Sequence, residues 1–249
     1  MEIFLFIAAH HYLSLFTQSF YHHRYSAHAM FTMSKFWERF FFILSIIFQG
    51  SSYLSPWAYG AMHRSHHSNA DTEKDPHSPK YDGNIWNMMW KTKVIFTDIY
   101  DGVDETVDKK FYKNLPEWKT MDRIGSSWPC RIFFLALYVW FYVEFATELW
   151  QFMFLPLHFV MGPVHGAIIN WFSHKIGYKN WKVKDTSTNM WPIDILMWGE
   201  ALHNNHHKFG GSANFAKKWF EFDPMYPFII AFNALGIIRL KKQDPEKFM

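Results

Sequence analysis

The sequence predicts an all-α fold, an integral membrane helical bundle with a histidine-lined cap that holds two metals. Two observations predict it. Four apolar stretches, about residues 3–21, 38–58, 131–150 and 152–172, approach the length that a helix needs to cross a bilayer. Three imidazoles also stand at offsets of zero, three and four in His63-Arg64-Ser65-His66-His67, and the pattern returns in His203-Asn204-Asn205-His206-His207. On a helix at about 100° per residue those offsets fall within roughly a 100° sector, so three ring nitrogens converge as metal ligands do. A looser pair, His23 and His28, precedes both.

The totals bound the reading. A chain of 249 residues is the size of one domain with a substantial core, taken here as 1–249. Its 25 basic residues stand against 22 acidic ones, without a long Lys/Arg tract, so nothing points to nucleic acid. The single cysteine, Cys130, excludes an internal disulfide and a thiolate metal cage, which leaves nitrogen and oxygen ligands. Aromatics make up 21% of the chain. The mean hydropathy of −0.17 is low for a membrane protein and reads as an average over apolar spans and a long charged insert. Trp, Tyr and His lower that index while suiting a bilayer interface.

The first stretch lacks the basic start and small-residue cleavage site of a secretory signal, because Glu2 is acidic and His10 and His11 interrupt the run. It is expected to be the first membrane helix, delivering His23 and His28 just past its end. The second stretch is softened by Gly50-Ser51-Ser52 and Pro56 and reads as a half-buried or polar-kinked span leading into the His63 cluster. Residues 68–130 are the soluble part. In them Asp75-Pro76-His77-Ser78-Pro79 makes a turn, Asn84 to Tyr100 is helical, and 101–111 is a charged surface segment. In 131–150, Arg131 and Trp150 stand as interface anchors, and Glu144 and Glu148 lie one turn apart, either facing inward or marking a membrane boundary. Pro156 and Pro163 predict kinks in the fourth stretch, which leads to Asn170 and His174 at i, i+4 on one helix face. Tyr226 to Leu240 is apolar enough to dock on a core or an interface.

The three boxes and His174 supply nine histidines: His23, His28, His63, His66, His67, His174, His203, His206 and His207. A single ion takes about six ligands at most, so nine imidazoles suggest two metals, with iron, copper, zinc and nickel all suited to the donor. A structural zinc closes with about four ligands, too few for this set. A metal transporter would string its histidines along a path inside the spans, whereas these gather at span ends. Apolar spans beside the clusters imply an apolar substrate. An oxygen-activating iron pair acting on a hydrocarbon chain uses every feature, with a lipid or carotenoid hydroxylase or ketolase and a membrane metal-binding or transport protein as the alternatives.

HRYSAH (His23–His28), HRSHH (His63–His67) followed by DPHS, and HNNHH (His203–His207) resemble the boxes of the membrane fatty acid desaturases, specifically the acyl-CoA delta-9 type, and the resemblance spans residues 20–215. It implies a di-iron centre on the cytoplasmic side of a helical membrane domain. The nine histidines would bind two iron ions, with Asn170 acting through a water. O2 activated there would remove two hydrogens from adjacent carbons of a saturated fatty acyl-CoA or lipid-bound acyl chain and leave a cis double bond. The chain would lie in a bent apolar tunnel lined by Phe, Trp and Met. Only one apolar segment precedes the first box, where the animal members have two, and an N-terminus on the opposite side of the membrane would follow from that resemblance. No cytochrome b5 domain is fused, so a separate electron donor of ferredoxin, rubredoxin or cytochrome b5 type is expected. Both departures look bacterial and suggest an inner membrane.

For His10, His11, His22, His158 and His165 the plainer reading is a hydrogen-bonded or interfacial imidazole. His77 is expected to hold its turn or meet the substrate head group. Glu144 and Glu148 are expected to form a buried pair bonded to Trp or Tyr. Glu200 would either orient a ligand imidazole or sit as a helix N-terminal charge.

Overall fold

The computed structural model describes residues 1–241, so residues 242–249 of the expected single domain lie outside the described residues. Helix α1 (Glu2–Thr17) continues without a break into a π-helical segment, Gln18–Ala27, and the 26-residue rod is long and apolar enough to cross a membrane. His23 therefore sits within this rod, not past its end as expected, and His28 follows at its C-cap. Helix α6 (Trp128–Phe145) is the second such helix. It stops before Trp150, and Glu144 and Glu148 are both exposed, so the expected buried pair is not formed. Both glutamates lie at or just past the exposed C-terminal end of α6, where water or headgroups can solvate them.

The fourth apolar stretch is not one helix. The segments Leu149–Phe159 and Met161–Phe172, which contain α7 (Leu155–Phe159) and α8 (Met161–Ala167), meet at a 71° bend and would count as one further span if taken together. Pro163 explains the break at Val160, because its ring clashes with the carbonyl four residues back, on Phe159. The backbone groups freed by the bend are met from a neighbouring segment. Ser51 Oγ donates to the Phe159 carbonyl at 3.3 Å, and the Gly162 N–H donates to Ser52 Oγ at 3.0 Å.

Those serines belong to a second interruption. Helix α2 (Lys35–Gln49) is capped by Ser34 and buries Phe41, Phe42, Ser45, Ile46 and Gln49 on one face, packed against α1. It ends after 15 residues at Gly50, and a 3-10 turn over Gly50–Ser52 follows. The expected span 38–58 is thus a shorter amphipathic helix, and it is not among the helices long and apolar enough to cross. Ser55 and Pro56 then start α3 (Pro56–Asn69), a favoured pairing of N-cap and first-turn proline. Gly60 lets α3 approach the π segment, since a Cβ there would meet Ser26 Oγ at 2.7 Å.

Asn84 caps α4 (Ile85–Asp101), and Gly102 closes it in the left-handed region. Short α5 (Lys119–Ser126) leads into α6, α9 (His203–Lys208) bears the last box, and α10 (Met225–Ala234) buries Met225 and Ile229. The departure from an all-helical fold is a two-stranded antiparallel ribbon, β1 (Phe31–Met33) against β2 (Ile238–Leu240). The main core is aromatic, with the Phe20 ring 4.9 Å from Phe31 and 4.8 Å from Phe41.

Gly50 has φ +52°, and a Cβ there would lie 1.8 Å from the buried Tyr138 hydroxyl. Gly50→Ala should therefore cost about 2 kcal/mol, read as a fall of about 4–8 °C in Tm, while Gly83→Ala, with nothing within 4 Å of its Cβ, should stay within about 0.5 kcal/mol of the parent.

Candidate metal centre

Four segments carry the nine box histidines to one place. On α3, His63 and His67 are one turn apart, and His66 is turned from them towards a second cluster. His23 and His28 are five residues apart, a spacing that an α-helix would splay. The π segment bonds i to i+5, as in the His28 N–H to His23 carbonyl contact of 3.1 Å, and so stacks the two rings on one side. His174 lies in the turn after Ile168–Phe172, and α9 presents His203, His206 and His207.

The rings form two adjacent groups. His23, His28, His63, His67 and His206 make one, and His66, His174, His203 and His207 the other, with the candidate ligand atoms of each group within 4.8 Å of one another. In the first, the Nε2 atoms of His63 and His28 are 2.9 Å apart, those of His67 and His63 3.0 Å, those of His206 and His67 2.9 Å, and those of His23 and His206 3.0 Å. In the second, His203 and His174 are 3.2 Å apart and His66 and His207 3.4 Å. An imidazole nitrogen either carries a proton or offers a lone pair, so an Nε2 that bridges two others at this distance cannot both donate and accept, and hydrogen bonds alone do not fill such a chain of contacts. With metal–nitrogen bonds of about 2.0–2.1 Å, neighbouring ligands at right angles stand about 3 Å apart, and the donor set fits an ion in each group.

Four of the nine rings, those of His23, His66, His174 and His207, turn Nδ1 towards a carboxylate. His66 Nδ1 is 2.8 Å from Asp75 Oδ1, His207 Nδ1 is 3.0 Å from Asp185 Oδ2, and His23 Nδ1 is 2.5 Å from Glu200 Oε2. His174 Nδ1 lies 3.2 Å from Thr186 Oγ1 and 3.4 Å from Asp71 Oδ2. A proton kept on Nδ1 leaves the Nε2 lone pair facing inward. Glu200 also receives Arg24, whose other arm reaches Asp223 at 2.9 Å, and the Arg24 side chain is fully buried. Of the two readings of Glu200, the orienting one describes its place, since α9 begins only at His203.

A cavity of about 390 Å³ opens onto both groups. His23, His63 and His203 line it together with Leu15, Met62, Phe96 and Ile169. The fatty acid desaturase family pattern matches residues 3–230. The chain belongs to the fatty acid desaturase family. Among similar proteins, the delta-9 desaturase-like 5 protein of Arabidopsis thaliana is 31% identical over 88% of this chain and 70% of its own length. Delta-9 acyl-lipid desaturase 2 of the same plant is 26% identical over 87% and 67%. Acyl-CoA 5-desaturase AL21 of Anemone leveillei is 27% identical over 87% and 64%. Membership makes this chain an oxidoreductase acting on fatty acyl chains.

The remaining candidate residues of this desaturase fall in three places. Asn170 lies outside both histidine groups, half-buried in the cavity wall. His77 is buried beside His66, with ring centroids 4.3 Å apart, and its backbone N–H donates to Asp75 Oδ1 at 3.0 Å, so it holds the turn while its ring lines the cavity. His22 faces away from the groups, 2.8 Å from the Leu54 carbonyl. His10 pairs with His158 at 2.7 Å and His165 with His11 at 3.1 Å, inside the bundle and apart from the boxes. Asp71, Asp75, Asp185 and Arg24 were not foreseen. For Asp75 the DPHS turn was the available signal, whereas the others meet their partners only through the fold.

Burial first, and then the neighbouring imidazoles, push His28, His63, His67, His203, His206 and His207 well below the usual histidine range. Burial pulls His66 the same way, but the Asp75 carboxylate outweighs it and leaves His66 raised. A ring with a depressed folded pKa contributes stability above its unfolded value of about 6.5, and the contribution is lost as pH falls and the unfolded chain alone takes up protons. With six rings depressed and one raised, the chelated protein should melt at a lower temperature at about pH 5.5 than at about pH 7.5. A Tm that is unchanged or higher at the acid pH would contradict neutral burial of these rings.

Proposed function

We propose that the protein is an O2-dependent desaturase that inserts a cis double bond into a saturated fatty acyl chain carried on CoA or a lipid, using two iron ions. His23, His28, His63, His67 and His206 would hold one, and His66, His174, His203 and His207 the other, with Asn170 acting through a water. The observation that carries this reading is the apolar cavity bounded by His23 and His63 of one group and His203 of the other. Its size and lining fit a hydrocarbon chain. The bound iron supplies O2 activation and the two-electron oxidation of the chain.

The chain's own residues do the positioning. Met62, Phe96 and Leu15 exclude water and hold two adjacent methylenes beside the rings, and this placement, with no separate acid or base, selects the carbons that react. Asp75, Asp185, Asp71 and Glu200 keep Nδ1 protonated and the rings aimed. We place the centre in a single domain, on the cytoplasmic side of a bacterial inner membrane, with electrons supplied by a separate carrier of ferredoxin, rubredoxin or cytochrome b5 type.

Fatty acid profiling of a host expressing the chain should show a new cis-monoene, and His206→Ala should remove it together with the iron of its group. Recovery of hydroxylated product alone would reject desaturation, and one zinc without iron per chain would end the redox reading. Asp75→Asn should keep the protein in the membrane and weaken retention of iron against a chelator by about 10–100-fold, measured as metal content after dialysis.

A further inference from the structure

We propose that the lysine-rich face around Trp181 is the docking surface for a small acidic protein that delivers electrons one at a time. The proposal rests on the desaturase reading, in which each turnover needs such a carrier. Removal of two hydrogens from the acyl chain and reduction of one O2 takes up two electrons and two protons and releases two waters. The carrier is oxidised by one electron in each of two encounters.

Residues 175–184 contain Lys175, Lys179, Lys182 and Lys184, all exposed, and no carboxylate. Lys218 reaches the same face from after α9, its Nζ 4.6 Å from the Trp181 ring, and Lys217 precedes it. The formal net charge of the whole chain is only +3, so this concentration of charge is local. Charge of one sign on one face steers a partner of the opposite sign. Electron-transfer encounters are small and transient and depend on such steering.

The face is also wired to the histidines. The Trp181 indole N–H donates to Asn205 Oδ1 at 3.1 Å, its backbone N–H donates to Asn204 Oδ1 at 2.9 Å, and Asn204 Nδ2 returns a bond to the Trp181 carbonyl at 3.1 Å. Asn204 and Asn205 lie between His203 and His206 on α9, which like α3 serves both groups. Beside Lys184, Asp185 bonds His207 directly. The cavity is lined on another side by Trp86, Trp90 and Lys93 and by none of the lysines around Trp181, so an acyl chain and a docked carrier do not compete.

The test uses the full-length, metal-loaded protein in nanodiscs of zwitterionic lipid, with reduced cytochrome b5 soluble domain and a reduced plant-type ferredoxin as probes. Binding is measured by interferometry without turnover. At least one carrier should bind the parent, and its Kd should rise about tenfold in the double variant Lys182→Glu, Lys218→Glu, and about as much in the parent when salt increases from about 20 to 200 mM. Lys182→Gln, Lys218→Gln should lie between, which covers a charge reversal that fails to fold. Lys119→Glu, on exposed α5, should bind like the parent. Turnover driven by dithionite should be the same in all variants. Equal binding of a carrier to parent and reversed variant overturns the proposal, and so does failure of both carriers to bind while dithionite supports turnover. A loss confined to discs of anionic lipid would assign the lysines, with the exposed Trp219 beside them, to headgroups and would also overturn it. If no reductant yields desaturated product, the desaturase reading fails, while the binding measurements still decide whether this face takes an acidic partner.

Discussion

Nine imidazoles brought together inside a protein must present lone pairs, not protons, to one another, and the surrounding structure answers to that constraint. Protonated, the rings would repel across gaps near 3 Å in a medium that screens poorly. Burial suppresses protonation, and the four carboxylate-bearing contacts on the outer nitrogens choose the tautomer for His23, His66, His174 and His207. The carboxylates need company of their own. Glu200 and Asp223 are paired through a fully buried Arg24, an arrangement whose disruption would leave uncompensated charge. Asp71 takes both the backbone N–H and the hydroxyl of Thr186.

Backbone geometry provides the convergence. A spacing of three and four suits an α-helix, and α3 uses it to divide one box between two groups. A spacing of five suits a π-helix, and the rod that begins as α1 changes its winding before reaching His23. Neither helix could hold the groups without the other, and Gly60 removes the side chain that would keep them apart.

The box histidines were legible because their spacing is a local property, written within five residues. The four apolar stretches were legible as apolar and the breaks at Gly50–Ser52 and near Pro163 were marked by composition, but not how complete those breaks are. Gly50 ends α2 through its positive φ, which hydropathy does not register, and the Pro163 break becomes a 71° bend only because Ser51 and Ser52 are at hand to receive it. For Glu144 and Glu148 the cost of facing lipid leaves an inward place or a membrane boundary, and since α6 ends between them and both are exposed, their place is at the helix end. Apart from Asp75, which follows its histidine by nine residues, the orienting carboxylates lie farther from their histidines in the chain, as with Asp71 and His174, and no periodicity connects them. The lysines around Trp181 looked scattered in the sequence, since part of the face comes from residues after α9.

The mutual repair of two broken helices has a consequence for biogenesis. The carbonyl of Phe159 and the amide of Gly162 find their partners on Ser51 and Ser52, residues made more than a hundred positions earlier. In hydrocarbon an unmet backbone group is costly, so the bent segment reaches a settled state only against the turn that follows α2. Integration of this chain into a bilayer is therefore cooperative between its first and middle thirds, and the later segment completes the early one as it arrives.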